Sequence, residues 1–169
     1  MNKKYELVKD ESINYFGRTL YRIKALKNFS NVKVVDIGGY IKKEDNLSHD
    51  RNCWVYYNAK VCDNVKVFDN AKVCGHAIVF DKVEVFDNAT ISDSAIVWGK
   101  SKIFNNATVC DNAKVYGLAK LCGNAMIYNN AKVCGCSRVS SYDKVCGNTV
   151  LSGCDNAPHD YIITKKLSR

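Results

Sequence analysis

An aliphatic residue stands at every sixth position of this chain from Val55 to Leu151. The series runs Val55, Val61, Val67, Val73, Val79, Val85, Ile91, Val97, Ile103, Val109, Val115, Leu121, Ile127, Val133, Val139, Val145, Leu151, without a slip. Four residues after each aliphatic comes a small one in most units, among them Ala71, Ala77, Ala89, Ala95, Ala107, Ala113, Ala119, Ala125 and Ala131. Val65 and Val83 are larger variants, and Asp143 is a charged exception. Between the two columns lies Asp or Gly followed by Asn, as in Asp63-Asn64, Asp69-Asn70, Asp87-Asn88, Asp111-Asn112 and Gly123-Asn124. Asn tolerates the left-handed backbone better than most residues, and Asp and Gly form turns. Each unit therefore predicts a short β-branched strand followed by a tight corner.

Six residues are too few to pair with the next six as a hairpin meander. Three units that close one triangular coil let each strand stack on the strand three units later. The seventeen units between Val55 and Leu151 then make about 5.7 coils, a rod of roughly 27 Å at about 4.8 Å per coil. Both columns point inward, and the second is small because side chains crowd at the corner of a narrow triangle. The expected fold is all-β: a single parallel β-helix of five to six triangular coils over residues 53–154. Residues 1–52 form a small non-repetitive N-terminal cap, and residues 155–169 a C-terminal tail.

On these units the chain resembles the hexapeptide-repeat family of left-handed parallel β-helices, whose usual unit is an aliphatic residue, turn-forming positions that include Asn, and a small residue. The left hand is implied by the resemblance alone, since parallel crossovers are ordinarily right-handed and the period does not tell the hand. The position after the aliphatic, often Gly, Ala or an acid in that family, is here Cys, Phe, Tyr, Trp or Ser. With the DNAKV-type repetition and the segment GRTLYRIKALKNFSNVKVVDIGGYIKKEDNLS, the chain also looks like repeat proteins encoded by bacteriophages and prophages. The resemblance implies a homo-oligomer, a dimer or trimer, and a target in the host cell.

Register at three units sorts the outward side chains onto three faces. The first carries Phe68, Phe86, Phe104, Cys122 and Ser140, flanked by Lys66, Glu84, Lys102, Lys120 and Arg138. The second carries Cys62, Phe80, Trp98, Tyr116, Cys134 and Ser152, flanked by Lys60, Ile78, Ile96, Lys114, Lys132 and Val150. The third carries Tyr56, Cys74, Ser92, Cys110, Tyr128 and Cys146. One corner stacks Asn70, Asn88, Asn106 and Asn124 as an amide ladder. Ile78, Phe80, Ile96, Trp98 and Tyr116 form an outward apolar patch of the kind that marks a contact. The chain ends, a second copy or another partner could cover it, and the Phe68, Phe86 and Phe104 ladder invites the same three readings. Lys66, Lys102, Lys120 and Arg138 beside that ladder are candidates for contact with nucleic acid.

In the cap, YFGRTLYRIKAL reads as a strand pair around Gly17 or as a strand entering a short helix, and NVKVVDIGGYI as a strand that ends at Gly38-Gly39. A cap is needed because an open terminal coil offers unpaired backbone. Trp54 sits at the junction, and the tail closes or packs against the far end.

Net charge is +8, with 25 Lys and Arg against 17 Asp and Glu, spread along the chain without a dense block. This suits a solvated surface and permits weak attraction to nucleic acid. No run of about 18 apolar residues could span a membrane. The basic start MNKKYELVKDES has no apolar run behind it, which predicts the cytoplasm of a bacterial host cell. In that compartment the nine cysteines are expected as free thiols. Cys136 and Cys154 stack at one corner, beside Cys134 but without a fourth metal ligand.

The family resemblance raises acyl transfer from a thioester, with a histidine as general base. The units run on without the inserted loop that activity uses, and His76, in CGHAIV, stands where Asn is usual. It reads as a turn residue, so no catalytic residue, cofactor or metal is expected. The leading expectation is a binding or scaffold protein directed at a host protein or ribonucleoprotein, a counter-defence inhibitor in the phage setting. An acyltransferase and a purely structural oligomer are the alternatives.

Overall fold

A computed structural model of the chain describes residues 3–154, together with the backbone of Ile162–Ile163. Strands β1 (Tyr5–Tyr15), β2 (Arg18–Ala25) and β3 (Ile37–Ile41) come first. Seventeen two-residue strands follow, one every six residues, from β4 (Trp54–Val55) to β20 (Val150–Leu151). They stack as parallel sheets with a register of three units, as in Ile78 on Ile96 on Lys114, and form a β-solenoid of about six turns. Ile162–Ile163 pairs in parallel with Lys144–Val145 at the same register. The rest of the tail lies outside the described residues.

Each corner turns on one residue. The residue two after the aliphatic has φ between 52° and 91° in all seventeen units, from Tyr57 and Asp63 to Gly147 and Gly153. The left-handed residue is thus the Asp or Gly before the asparagine, and Asn occupies it itself at Asn105 and Asn129. Asp and Asn add a second contribution there. Their side-chain oxygens accept the backbone N–H of the same position one coil on: Asp81 from Gly99 at 3.0 Å, Asp87 from Asn105 at 3.0 Å, and Asp111 from Asn129 at 2.8 Å. The amide ladder also forms, from Asn52 through Asn70, Asn88 and Asn106 to Asn124, with steps of 3.1 to 3.3 Å.

The aliphatic column is fully buried from Val55 to Val145, and so is the small column. Polar residues in the small column bond locally. The hydroxyls of Ser101 and Ser137 donate to the carbonyls of Trp98 and Cys134, and the Asp143 carboxylate accepts the Ser140 amide.

The N-terminal cap stacks on the first coil in the plane of one sheet. β1 and β2 form an antiparallel hairpin around Phe16-Gly17, β2 pairs with β3, and β3 pairs in parallel with β5 (Lys60–Val61). Gly38 and Gly39 lie inside β3 instead of ending it, and both are buried. A Cβ at Gly38 would lie 2.6 Å from Ile23 Cγ1, and one at Gly39 2.6 Å from the Ala59 carbonyl. The pair serves close approach to the first coil, not a turn. Below them Asn46 closes the open edge: its Nδ2 donates to the carbonyls of Asp63 and Val65, and its Oδ1 accepts the amides of Lys42 and Lys43. Trp54 is buried edge-on to Tyr5 and Phe29.

The cysteines depart from expectation at one place. Cys136 and Cys154 share a corner one coil apart with Cα atoms 4.6 Å from each other and are bonded as a disulfide, while the other seven are free. That Cα separation lies within the disulfide range, and stacking in register is what creates it. Denaturing titration before reduction should find seven thiols, and nine after it; nine at the first step would remove the bond.

The corner oxygens yield a second test. Asp111→Asn keeps an acceptor for the Asn129 amide and should leave the melting temperature nearly unchanged. Asp111→Ala loses it at a left-handed residue and should cost on the order of 2 kcal/mol in a denaturant titration. Equal effects of the two would refute this role for the oxygen.

Candidate functional site

The second face carries the continuous stack that register implied. Phe80 and Trp98 have ring centroids 5.8 Å apart at 3°, and Trp98 and Tyr116 4.3 Å apart at 6°. Ile78 and Ile96 pair directly beside them on adjoining strands, and all five side chains are half-buried. Hydrogen bonding to the Cys134 thiol pushes the Tyr116 phenol up. Each ring lies flat against the next, so the rings present edges to a partner and keep their faces for one another. This makes the stack poor as a platform for bases, which need free ring faces, and good as a ridge for apolar packing.

On the first face Phe68, Phe86 and Phe104 stack at 4.9 and 5.0 Å. The cations beside them stand in one row along the sheet. Lys66 reaches Asp45 at 3.8 Å, Lys102 reaches Glu84 at 2.7 Å, and Arg138 Nη2 points to Cys122 Sγ at 3.8 Å, while Lys120 is exposed. Lys102, Lys120 and Arg138 follow one another on adjoining strands, one per coil. Phe68 also borders a cleft of about 300 Å³ with Glu44, Asp45, His49 and Lys66.

A group of charges drawn from both the cap and the coils lies on the corner between these two faces. A groove of about 560 Å³ is lined by Arg18, Lys42, Lys43, Asp63, Asn64, Asp81, Lys82, Gly99 and Lys100. Arg18 Nε donates to both Asp63 oxygens at 2.9 and 3.1 Å, and Lys42 Nζ to one of them at 3.3 Å. Lys43 Nζ donates to Asn64 Oδ1 at 2.9 Å. The Arg18 guanidinium holds the Asp63 carboxyl below the usual carboxylate range, helped by the Asp81 amide and by Lys42 against the opposing effect of burial. Lys82 and Lys100 are exposed, one coil apart.

No family model matches the chain, and no curated protein matches it. Among the described residues no helix is long and apolar enough to cross a membrane.

His76 is exposed on a corner of the third face, its backbone amide donating to the Asp93 carbonyl. Asp93, Cys110 and Asp111 bring ligand atoms within 4.8 Å of one another. Both carboxylates already serve the corner ladder, accepting the amides of Asp111 and Asn129. Burial pushes the Cys110 and Cys62 thiols each up to about 11, which keeps them protonated near neutrality.

The groove escaped sequence reasoning in part. Lys82 and Lys100 stand three units apart and could have been aligned from register. Arg18, Lys42 and Lys43 come from the non-repetitive cap, where no period places them.

The Arg18 and Asp63 pair gives a pH test. A carboxyl whose pKa is lower folded than unfolded stabilises above its unfolded value, near 3.9, and loses that contribution as pH falls through its folded value. Asp63→Asn should therefore be less stable than the parent by about 1 kcal/mol at neutral pH. That difference should shrink below about pH 4. A gap that stayed constant down to pH 2 would show that the pair contributes through packing, not charge.

Proposed function

We propose that this chain is a non-enzymatic binding and scaffold protein whose second face is a contact surface, first of all for a second copy of itself in a dimer or trimer. One observation carries the reading. Ile78, Phe80, Ile96, Trp98 and Tyr116 stand half-exposed in register on a flat face, and the cap extends that sheet in its plane instead of roofing it. Apolar area left in water costs about 25 cal/mol per Å², so a continuous ridge of this size favours a covered state. A regular sheet face also repeats its own spacing, so a second copy offers rows of matching pitch.

The repeat and the segments quoted for it support membership of the hexapeptide-repeat family, the left-handed coil, and encoding by a phage or prophage. In that setting the assembled rod would occupy a host protein or ribonucleoprotein as a counter-defence inhibitor in the bacterial cytoplasm. Affinity capture from a host lysate with and without nuclease tests that extension.

Sedimentation of the purified protein tests the contact itself. The parent should sediment as a dimer or trimer. Trp98→Glu, at the centre of the ridge where interface energy concentrates, should sediment as a monomer with its circular dichroism and melting temperature retained, because Val97 and not Trp98 enters the core. An unchanged mass for Trp98→Glu, or a monomeric parent, would overturn the self-contact.

A further inference from the structure

We propose that the groove on the corner between the first and second faces binds a di- or triphosphate group of the kind nucleotides carry. The proposal rests on the cations of the groove and not on the aromatic ridge, so it stands or falls apart from the self-contact.

The groove holds five cations, Arg18, Lys42, Lys43, Lys82 and Lys100, against two carboxylates, Asp63 and Asp81, which leaves three positive charges in excess. Neither carboxylate is idle. Asp63 is held by Arg18 and Lys42, and Asp81 accepts the Gly99 amide of the next coil. Three ammonium groups are left to a ligand. Lys82 and Lys100 have no ion-pair partner among the described residues, and Lys43 donates to a neutral amide oxygen that it can leave without stranding a carboxylate. A single carboxylate would neutralise only one of them. A diphosphate ester, whose terminal phosphate carries about −1.5 to −2 near neutral pH and whose bridging phosphate about −1, matches three charges, and charged donors to phosphate are the strong class of hydrogen bond. The space of about 560 Å³ falls in the range of small-molecule sites, roughly 300 to 1,000 Å³.

The floor is rigid. The left-handed corners at Asp63, Asp81 and Gly99 fix the spacing of Lys82 and Lys100 at one coil, about 4.8 Å, and the Asp63 ion pairs tie Arg18 and Lys42 of the cap to that floor. Lys82 and Lys100 are therefore presented by stacked backbone, and Lys43 by the short segment between β3 and the turn at Glu44–Asn46.

Isothermal titration calorimetry at fixed salt tests this with three probes: inorganic tripolyphosphate, a nucleoside triphosphate, and a single-stranded oligonucleotide with 5′-hydroxyl and 3′-hydroxyl ends. Tripolyphosphate and the nucleoside triphosphate should each bind one to one. Equal affinities would mark the polyphosphate alone as the ligand, and a tighter nucleotide would mark a nucleotide as its source. The double variant Lys82→Gln, Lys100→Gln should weaken both by tenfold or more. Lys120→Gln with Lys132→Gln, which removes the same charge from exposed lysines elsewhere, should leave them unchanged. Melting temperatures of both double variants confirm that each is folded. Absence of saturable binding by tripolyphosphate, binding of the oligonucleotide alone, or an equal loss in the two double variants would overturn the proposal.

Discussion

Every part of this fold depends on one residue in six adopting a left-handed backbone. Strands two residues long cannot hold a sheet by themselves, and what makes them a solenoid is that the chain turns at the same point of every unit. Left-handed backbone is costly for most side chains, on the order of 1–2 kcal/mol per residue. Glycine avoids that cost, while Asp and Asn offset part of it by bonding to backbone. The structure shows what that bonding is here. The corner turns its own N–H away from the strand ladder, and the oxygen from the coil before accepts it, so conformation and hydrogen bonding are solved by one side chain. Where glycine takes the position, as in the column Gly99, Gly117, Gly135 and Gly153, the corner is relieved of strain and has no such oxygen. A Cβ at Gly117 would approach the Gly135 carbonyl to 2.8 Å.

Regular corners make the outer surface a lattice, and a lattice is legible from sequence. The aliphatic and small columns, the three faces, both aromatic stacks and the amide ladder all follow from stepping three units along the chain. What that arithmetic could not supply is anything that depends on the cap. β2 brings Arg18 to Asp63 across 45 residues of sequence, and only the bulged hairpin and its pairing with β3 determine that reach. Gly38-Gly39 looked like a strand end because glycine pairs usually punctuate; against a flat first coil the same residues are what a buried strand needs. The Cys136 and Cys154 stack was readable as a position, whereas the bond between the two sulfurs depends on redox state, which no period encodes.

The cap also completes the corner groove proposed as a binding site. Inside the solenoid, charges on one face are separated by the pitch and paired along it, as Lys102 with Glu84 shows. Such ladders keep one residue per coil in a straight row, as in Lys102, Lys120 and Arg138 on adjoining strands. A cluster that departs from such a row requires a segment that breaks the lattice, and the cap is that segment. Asn46 anchors it to the first coil through the Asp63 and Val65 carbonyls, while the Tyr5 hydroxyl ties β1 to the Leu47 carbonyl within the cap. Lys4 is buried with its Nζ donating to the Cys53 carbonyl and thiol, and burial lowers its pKa. A cap fastened by this many directional bonds holds Arg18, Lys42 and Lys43 as firmly as the coils hold Lys82 and Lys100.

That rigidity decides which kinds of recognition the molecule suits. A rod whose side chains repeat at one coil spacing cannot adapt to an irregular ligand by moving loops, because the described coils contain none. It can match a partner of equal pitch, which another copy of the same sheet supplies, or a compact ligand small enough to meet a single cluster of charges. The aromatic ridge fits the first case and the corner groove the second. A flexible strand of nucleic acid that stacks its bases on aromatic rings fits neither well, because the ring faces are already stacked on one another. Division of labour between an apolar ridge and a charged corner thus follows from coils that repeat along faces and corners alike and from a cap that does not.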